Sequence, residues 1–228
     1  MPFVHRGLHG AGRVENSRAA FDAAVAAGHG IELDVQASRD GEAMVFHDYQ
    51  LDRLTAEQGD VTARAASELE RVHLTGTTET IPRLREVLQR IGGRVAVLIE
   101  VKAPDRNVAR LCLSVFRALE GYRGPVGVMS FNPEVPRWFG AHAPKVLRGL
   151  VVTEQDKRGL RGWLERAIAF WRSGAQFLAY DIRDLPSRFA KKRRRKGVPV
   201  FTWTVRSEAD RARAALHADQ IIYEVPAA

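Results

Sequence analysis

One cysteine, Cys112, is all that the 228 residues contain, so no disulfide can form within the chain and a cysteine-rich zinc site is excluded. Long apolar runs are lacking too. The best candidates, such as Ala19 to Ala27, are interrupted by Asp22 and fall well short of the roughly 20 residues of a membrane-spanning helix. A secretory signal needs an apolar stretch of about 7 to 15 residues after a basic start, whereas this chain reaches His5 and Arg6 at once, so a cytoplasmic location is expected. Linkers rich in Pro, Gly or Ser are missing, and so is any internal repeat. With 45% hydrophobic, 27% charged and 8% aromatic residues the composition is that of an ordinary globular chain, which leaves out disorder, collagen and coiled coil. A single domain over residues 1–228 is the expectation, because barrels routinely reach this length.

Acidic residues are outnumbered, 27 against 35 Lys and Arg, for a net charge of +8. The excess is local. Lys191 to Lys196 is an unbroken basic run, and with those six set aside the net charge falls to +2.

Short β-branched runs alternate with helical patterns from end to end, which argues for parallel βαβ units. Eight strands are expected: Pro2 to Gly7, Ile31 to Gln36, Val95 to Val101, Val126 to Ser130, Val146 to Val151, Gln176 to Asp181, Pro199 to Val205 and Gln220 to Tyr223. Between them lie helices such as Asn107 to Gly121, where Val108, Leu111, Cys112, Val115 and Leu119 share one face, making Cys112 a core residue. This order predicts an α/β fold, a (β/α)8 TIM barrel with its last helix reduced or absent. One segment departs from the repeat. After a short extra strand at Ala43 to Phe46, residues 48–82 read as a polar, irregular insertion on one face of the barrel, with a helix to follow near Leu84 to Ile91.

In a parallel barrel the C-terminal strand ends surround one mouth, where active sites lie. Four polar groups fall there. His5-Arg6-Gly7 follows the first strand, with Glu15-Asn16 just beyond it. Glu32 and Asp34, two apart on the second strand, project to the same side, and two carboxylates so placed call for a cation such as a divalent ion with oxygen ligands. His47-Asp48 is the third group. Glu100 and Lys102 are again two apart at the end of an apolar strand, and Glu100 can complete a three-carboxylate metal site with Glu32 and Asp34. Two histidines suit general acid and general base, and Arg6 and Lys102 supply positive charge for a phosphate. Each group alone is an ordinary surface pattern; their joint placement carries the reading.

The ordered set His5-Arg6-Gly7, Glu15-Asn16, Phe21, Glu32-Leu33-Asp34-Val35, Asp40-Gly41, His47-Asp48, Leu51, Arg53, Thr55 and Glu100-Val101-Lys102 resembles the glycerophosphodiester phosphodiesterases. The match is dense over residues 3 to 102 and thinner beyond, at Ser130-Phe131, Arg148-Gly149 and Trp203-Thr204-Val205. The resemblance implies a (β/α)8 barrel, one divalent cation (Mg2+ or Ca2+) on Glu32, Asp34 and Glu100, His5 and His47 as the acid/base pair, and Arg6 and Lys102 as phosphate contacts. It places Glu15 beside His5 and Arg6, and Trp203 in the lining of the pocket. The chain departs from the family pattern at Val14, at Arg206 and in Gln220 to Pro226. These departures are expected to bear on the alcohol side of the pocket and to leave the catalytic set untouched.

The leading expectation is a metal-dependent hydrolase that releases sn-glycerol 3-phosphate and an alcohol from a glycerophosphodiester. A lysophospholipase D acting on lipid diesters is the alternative within enzymes, and the polar insertion counts against it. From another class, the chain could be a non-catalytic binder of anionic surfaces acting through Lys191 to Lys196. No aromatic residue interleaves with that run, so no nucleic acid partner is expected. The run falls at the end of the helix before the seventh strand, toward the N-terminal face, so a small-molecule diester in solution is favoured over a substrate in a membrane.

Overall fold

Strands whose apolar runs are unbroken can be buried on both faces, and that is the environment of a parallel sheet wrapped by helices. In the computed structural model, which describes residues 1–10 and 12–225, the elements run β1 (Phe3–Val4), α1 (Arg18–Ala26), β2 (Gly30–Ala37), β3 (Ala43–Val45), α2 (Ala66–Leu69), α3 (Leu84–Ile91), β4 (Val97–Val101), α4 (Ala109–Leu119) and β5 (Val126–Ser130). They continue through α5 (Glu134–His142), β6 (Leu147–Val152), α6 (Gly159–Ser173), β7 (Phe177–Asp181), α7 (Arg188–Arg194), β8 (Val200–Val205), α8 (Glu208–His217) and β9 (Gln220–Tyr223). Eight strands pair in parallel in the order β1-β2-β4-β5-β6-β7-β8-β9, and β1 also pairs with β9, which closes the barrel. β3 is the expected extra strand, antiparallel to β2 and outside the ring. The fold is the (β/α)8 barrel read from the sequence.

The first strand is shorter than the apolar pattern suggests. It stops at Val4, because Arg6 (φ 57°) and Gly7 (φ 77°) are left-handed and turn the chain across the mouth. Gly7 is required there, since a Cβ would meet Ala20 Cβ at 2.9 Å as well as the strained φ. The expected absence of a last helix concerns the chain past Tyr223, where Glu224 and Val225 are not helical. Pro226, the end of the Gln220 to Pro226 segment, lies outside the described residues.

Alternation along the strands divides the interior in two. Ile31, Leu33 and Val35 face outward and pack with the helices, together with Cys112, whose thiol is pushed up to about 12 by burial. Phe3, Leu98, Met129, Val151, Phe177 and Ile222 fill the barrel's lower interior. Phe177 and Phe201 stack there at 4.9 Å. Gly149 makes room for them: a Cβ at that position would lie 2.2 Å from the Phe177 ring. Two residues beyond Phe3, Leu98 and Ile222 the ionisable His5, Glu100 and Glu224 take over, while Phe131 and Trp203 follow Met129 and Phe201.

The segment over residues 48–82 is less irregular than its composition suggests. It holds a 3-10 turn (Val61–Ala63) and α2, and Met44, Phe46, Leu51, Val61, Leu69, Val72, Leu74 and Ile81 pack into a small core of their own. Apart from Tyr49, which is exposed, most of its large apolar side chains are spent on that core.

Candidate active site

β2 and β4 are neighbours, and their register sets Asp34 beside Glu100 and Glu32 beside Leu98. Glu32, Asp34 and Glu100 are all buried, and one oxygen of each lies within 4.8 Å of the others. Burial pushes the Glu32 carboxyl well above its usual range, and the negative charges of Asp34 and Glu100 push it further. Burial would raise Asp34 too, but Lys102 and Arg6 outweigh it and hold that carboxyl well below the carboxylate range. The Lys102 ammonium sits 3.0 Å from Asp34 Oδ1 and hydrogen-bonds Glu100. Glu32 Oε1 is buried without a hydrogen-bond partner. An orphaned carboxylate oxygen in an all-oxygen cluster of three acids fits a hard divalent cation.

The turn after β1 feeds this cluster. The Arg6 backbone N–H donates to Glu32 Oε2 at 3.1 Å, and its guanidinium Nε lies 3.3 Å from Asp34 Oδ2. Asn16, also left-handed (φ 57°), donates to Asp34 Oδ2 at 3.0 Å and accepts from its backbone N–H. Ser17 rather than Asn16 caps α1. Asn16 therefore serves the acidic cluster instead of the helix.

His5 and His47 both line the cleft over this cluster, and each is held by a carboxylate. His5 Nδ1 donates to Glu224 Oε1 at 2.6 Å, and His47 Nδ1 to Asp48 Oδ1 at 2.6 Å. Burial would raise both acids; His5 and Arg206 instead draw Glu224 down to about 2, and Arg53 and His47 draw Asp48 to about 2. Ionised carboxylates only accept, so each histidine carries its proton on Nδ1 and keeps Nε2 for chemistry. His5 Nε2 points toward the acidic cluster, 3.9 Å from Glu32 Oε2. Burial lowers the affinity of His47 for a second proton, against the pull of Asp34 and with the help of Lys102 and Arg6.

A chain of ion pairs links the two histidines' surroundings. Arg6 Nη1 meets Glu15 Oε1 at 2.7 Å, Arg53 Nη2 meets the same oxygen at 2.7 Å, and Arg53 Nε reaches Asp48 Oδ2 at 2.5 Å. Glu15 thus bridges two arginines. Over the cluster opens a cleft of about 470 Å3 lined by His5, Arg6, His47, Glu100, Lys102, Phe131, Asp181, Arg183, Trp203 and Arg206. Trp203 stands on its wall, edge-on to Phe131, with its indole N–H donating to the Ala179 carbonyl at 2.9 Å. A second recess of about 700 Å3 adjoins it through His47, Lys102 and Phe131, and continues over Tyr49, Asp52, Arg53 and Asp60.

The nine candidate site residues, His5, Arg6, Glu15, Glu32, Asp34, His47, Glu100, Lys102 and Trp203, lie together at this mouth. One expectation fails. The departures at Arg206 and Glu224 were to leave the catalytic set untouched, yet Glu224 binds His5, and Arg206 pairs with Glu224 at 2.6 Å. Glu224 immediately follows β9, so the rule that flagged the other strand ends would have found it. Arg53 and Asp48 were legible as residues but not as the links they form.

Fold and site together define a barrel enzyme whose mouth sets three acids, two histidines and two cations around one cleft. The sequence model of the Glycerophosphoryl diester phosphodiesterase family matches residues 5–228, and the chain belongs to that family. It is 29% identical over 213 residues to a glycerophosphodiester phosphodiesterase of Caldanaerobacter subterraneus subsp. tengcongensis, covering 87% of this chain and 83% of that one. It is 32% identical over 201 residues to a glycerophosphodiester phosphodiesterase of Bacillus subtilis (strain 168), covering 79% and 68%. A phosphodiesterase of Oleispira antarctica, solved in complex with the product sn-glycerol-3-phosphate, has the same fold at a TM-score of 0.83, with 22% identity over 98% of this chain and 92% of that one.

Proposed function

We propose that this enzyme hydrolyses glycerophosphodiesters to sn-glycerol 3-phosphate and an alcohol, with one divalent cation held by Glu32, Asp34 and Glu100 and with His5 and His47 as the acid/base pair. The observation that carries the proposal is the meeting of the acid cluster, its orphaned Glu32 oxygen and two carboxylate-held histidines at one mouth. The cation, Mg2+ or Ca2+ by its donor set, would neutralise charge on the phosphate as the transition state forms. Arg6 and Lys102 orient the phosphate by charge. His47, kept neutral by burial, has Nε2 free to take a proton from the nucleophile, while His5, 3.9 Å from Glu32 Oε2 through Nε2, serves in its doubly protonated form as the acid that gives its Nε2 proton to the leaving oxygen. Trp203 and Phe131 wall off the cleft for the remainder of the substrate.

In this reading residues 1–228 are one catalytic barrel domain and residues 48–82 an insertion at its mouth. Small diesters such as glycerophosphocholine are favoured over lysolipids, because, Tyr49 apart, most of the insertion's large apolar side chains pack among themselves and leave little surface for an acyl chain. A side-by-side assay of glycerophosphocholine and lysophosphatidylcholine, with and without EDTA, tests the reading. EDTA-sensitive release of glycerol 3-phosphate is expected; full activity in the chelator or a preference for the lysolipid overturns it.

A further inference from the structure

We infer that the flank of the barrel formed by α6 and α7 docks on an anionic phospholipid surface. A helix on the outside of a barrel buries one stripe and shows a polar one to water. α6 does not. Leu160, Leu164, Ile168 and Trp171, at intervals of four, four and three residues, line its outward face, and they are 76%, 47%, 56% and 82% exposed. Four large apolar side chains in one outward row are a contiguous patch, and such patches on soluble chains mark interaction sites.

The basic run lies against the same flank. Lys192 Nζ stands 5.7 Å over the Trp163 ring, and the Arg193 guanidinium lies 4.4 Å over Phe170, so α7 is packed along α6. Lys191, Lys192, Arg195 and Lys196 are exposed and carry no ion pair among the described residues. Arg194 alone of the run is neutralised, by Asp219 at 2.8 Å. On the far side of α7, a groove of about 480 Å3 lined by Ala190, Lys191, Arg195 and Leu216 adds a further exposed leucine.

A row of Leu, Ile and Trp beside unpaired lysines is the composition of a helix that lies in a bilayer interface, with apolar side chains among the acyl boundary and cations among the headgroups. A second copy of this chain is the poorer occupant. A two-fold interface repeats one patch on both sides and would face basic run with basic run. The row begins at Leu160, close after the C-terminal end of β6, so a bilayer on this flank runs beside the mouth without covering it. The surface is separate from the cleft, and docking leaves the site open to substrate.

Sedimentation with vesicles tests this, using phosphatidylglycerol mixed into phosphatidylcholine against phosphatidylcholine alone. Binding to the anionic vesicles only, weakened by salt, is expected. At about a factor of five for each cation near an anionic surface, Lys191→Ser/Lys192→Ser/Lys196→Ser should weaken partitioning roughly a hundredfold. Ile168→Ser/Trp171→Ala should weaken it roughly tenfold or more while keeping every charge. Circular dichroism and thermal midpoint establish that both variants fold, and a fold-defective one is replaced by Leu160→Ser/Leu164→Ser. No enrichment on anionic vesicles overturns the proposal. So does binding that ignores the apolar row, and so does a stable dimer in light scattering that Trp171→Ala separates.

Discussion

His5 Nδ1 and Glu224 Oε1, 219 residues apart in the chain, meet at 2.6 Å where the first and last strands of the barrel close on each other. The bond exists because β1 pairs with β9 in register, Val4 beside Tyr223, so the residue after each falls at the same height on the mouth. Closure of the barrel and orientation of a histidine are therefore one structural event.

Glu224→Gln should consequently cost turnover more than affinity. A glutamine amide can donate as well as accept, so it no longer fixes the proton on Nδ1 and Nε2 toward the cleft. We expect kcat for glycerophosphocholine to drop about tenfold to a hundredfold with KM little changed, and His5→Ala or His47→Ala to cost about a hundredfold or more, the usual worth of a general acid or base. Arg206→Ala, one link further from the ring, should be milder. Steady-state kinetics decide it: wild-type kcat in Glu224→Gln removes the residue from the mechanism.

The acid cluster makes two opposite expectations for one substitution. In metal-free protein Glu32→Gln removes a carboxylate that burial, Asp34 and Glu100 all disfavour as an anion, so the thermal midpoint should hold or rise. The same change deletes a ligand, so the rise in midpoint that Mg2+ or Ca2+ gives the parent, about 2.7 kcal/mol at a hundred times the dissociation constant, should shrink or vanish. Calorimetry with and without the ion reads both. An ion-induced shift as large in Glu32→Gln as in the parent would remove Glu32 from the ligand set.

Acid should weaken the fold through the two carboxylates that hold the histidines. Glu224 and Asp48 each sit at about 2 when folded, below their ordinary values of 4.5 and 3.8. Their folded values are depressed, so the stability they contribute is complete above those ordinary values and is lost as pH falls through about 2. Urea unfolding from pH 5 down to about 2 should show a fall that is shallower in Glu224→Gln and in Asp48→Asn. An unchanged slope in both variants would refute the assignment.

The barrel was legible because its signals are local: β-branched runs make β2, β4 and β8, and the spacing of Leu111, Cys112, Val115 and Leu119 makes α4. The acid cluster was legible because Glu32, Asp34 and Glu100 keep the two-residue period of a strand. What the sequence did not yield depends on closure in space. Nothing near Glu224 announces His5, and nothing in the spacing of Glu15, Asp48 and Arg53 says that the Arg53 guanidinium joins the two acids. The core of the insertion was hidden for a related reason: Leu51, Val61, Leu69 and Leu74 follow no helix or strand period, and their burial is set by tertiary packing.

That small core ought to govern the site above it. Leu69 is fully buried among Met44, Phe46, Leu51, Val61 and Ile81, and the same segment carries Asp48 and Arg53, with His47 immediately before it. Leu69→Ala leaves a cavity with no barrel helix to collapse into it, at a cost of about 2 to 5 kcal/mol. Opening would be local, because the insertion's core is separate from the main one. We expect limited proteolysis to cut within residues 48–82 before the barrel yields, and kcat/KM to fall together with His47's anchorage, while Tyr49→Ala, at an exposed position, changes stability by no more than about 0.5 kcal/mol. Protease resistance and kinetics equal to the parent in Leu69→Ala would show that the insertion does not hold the histidine in place.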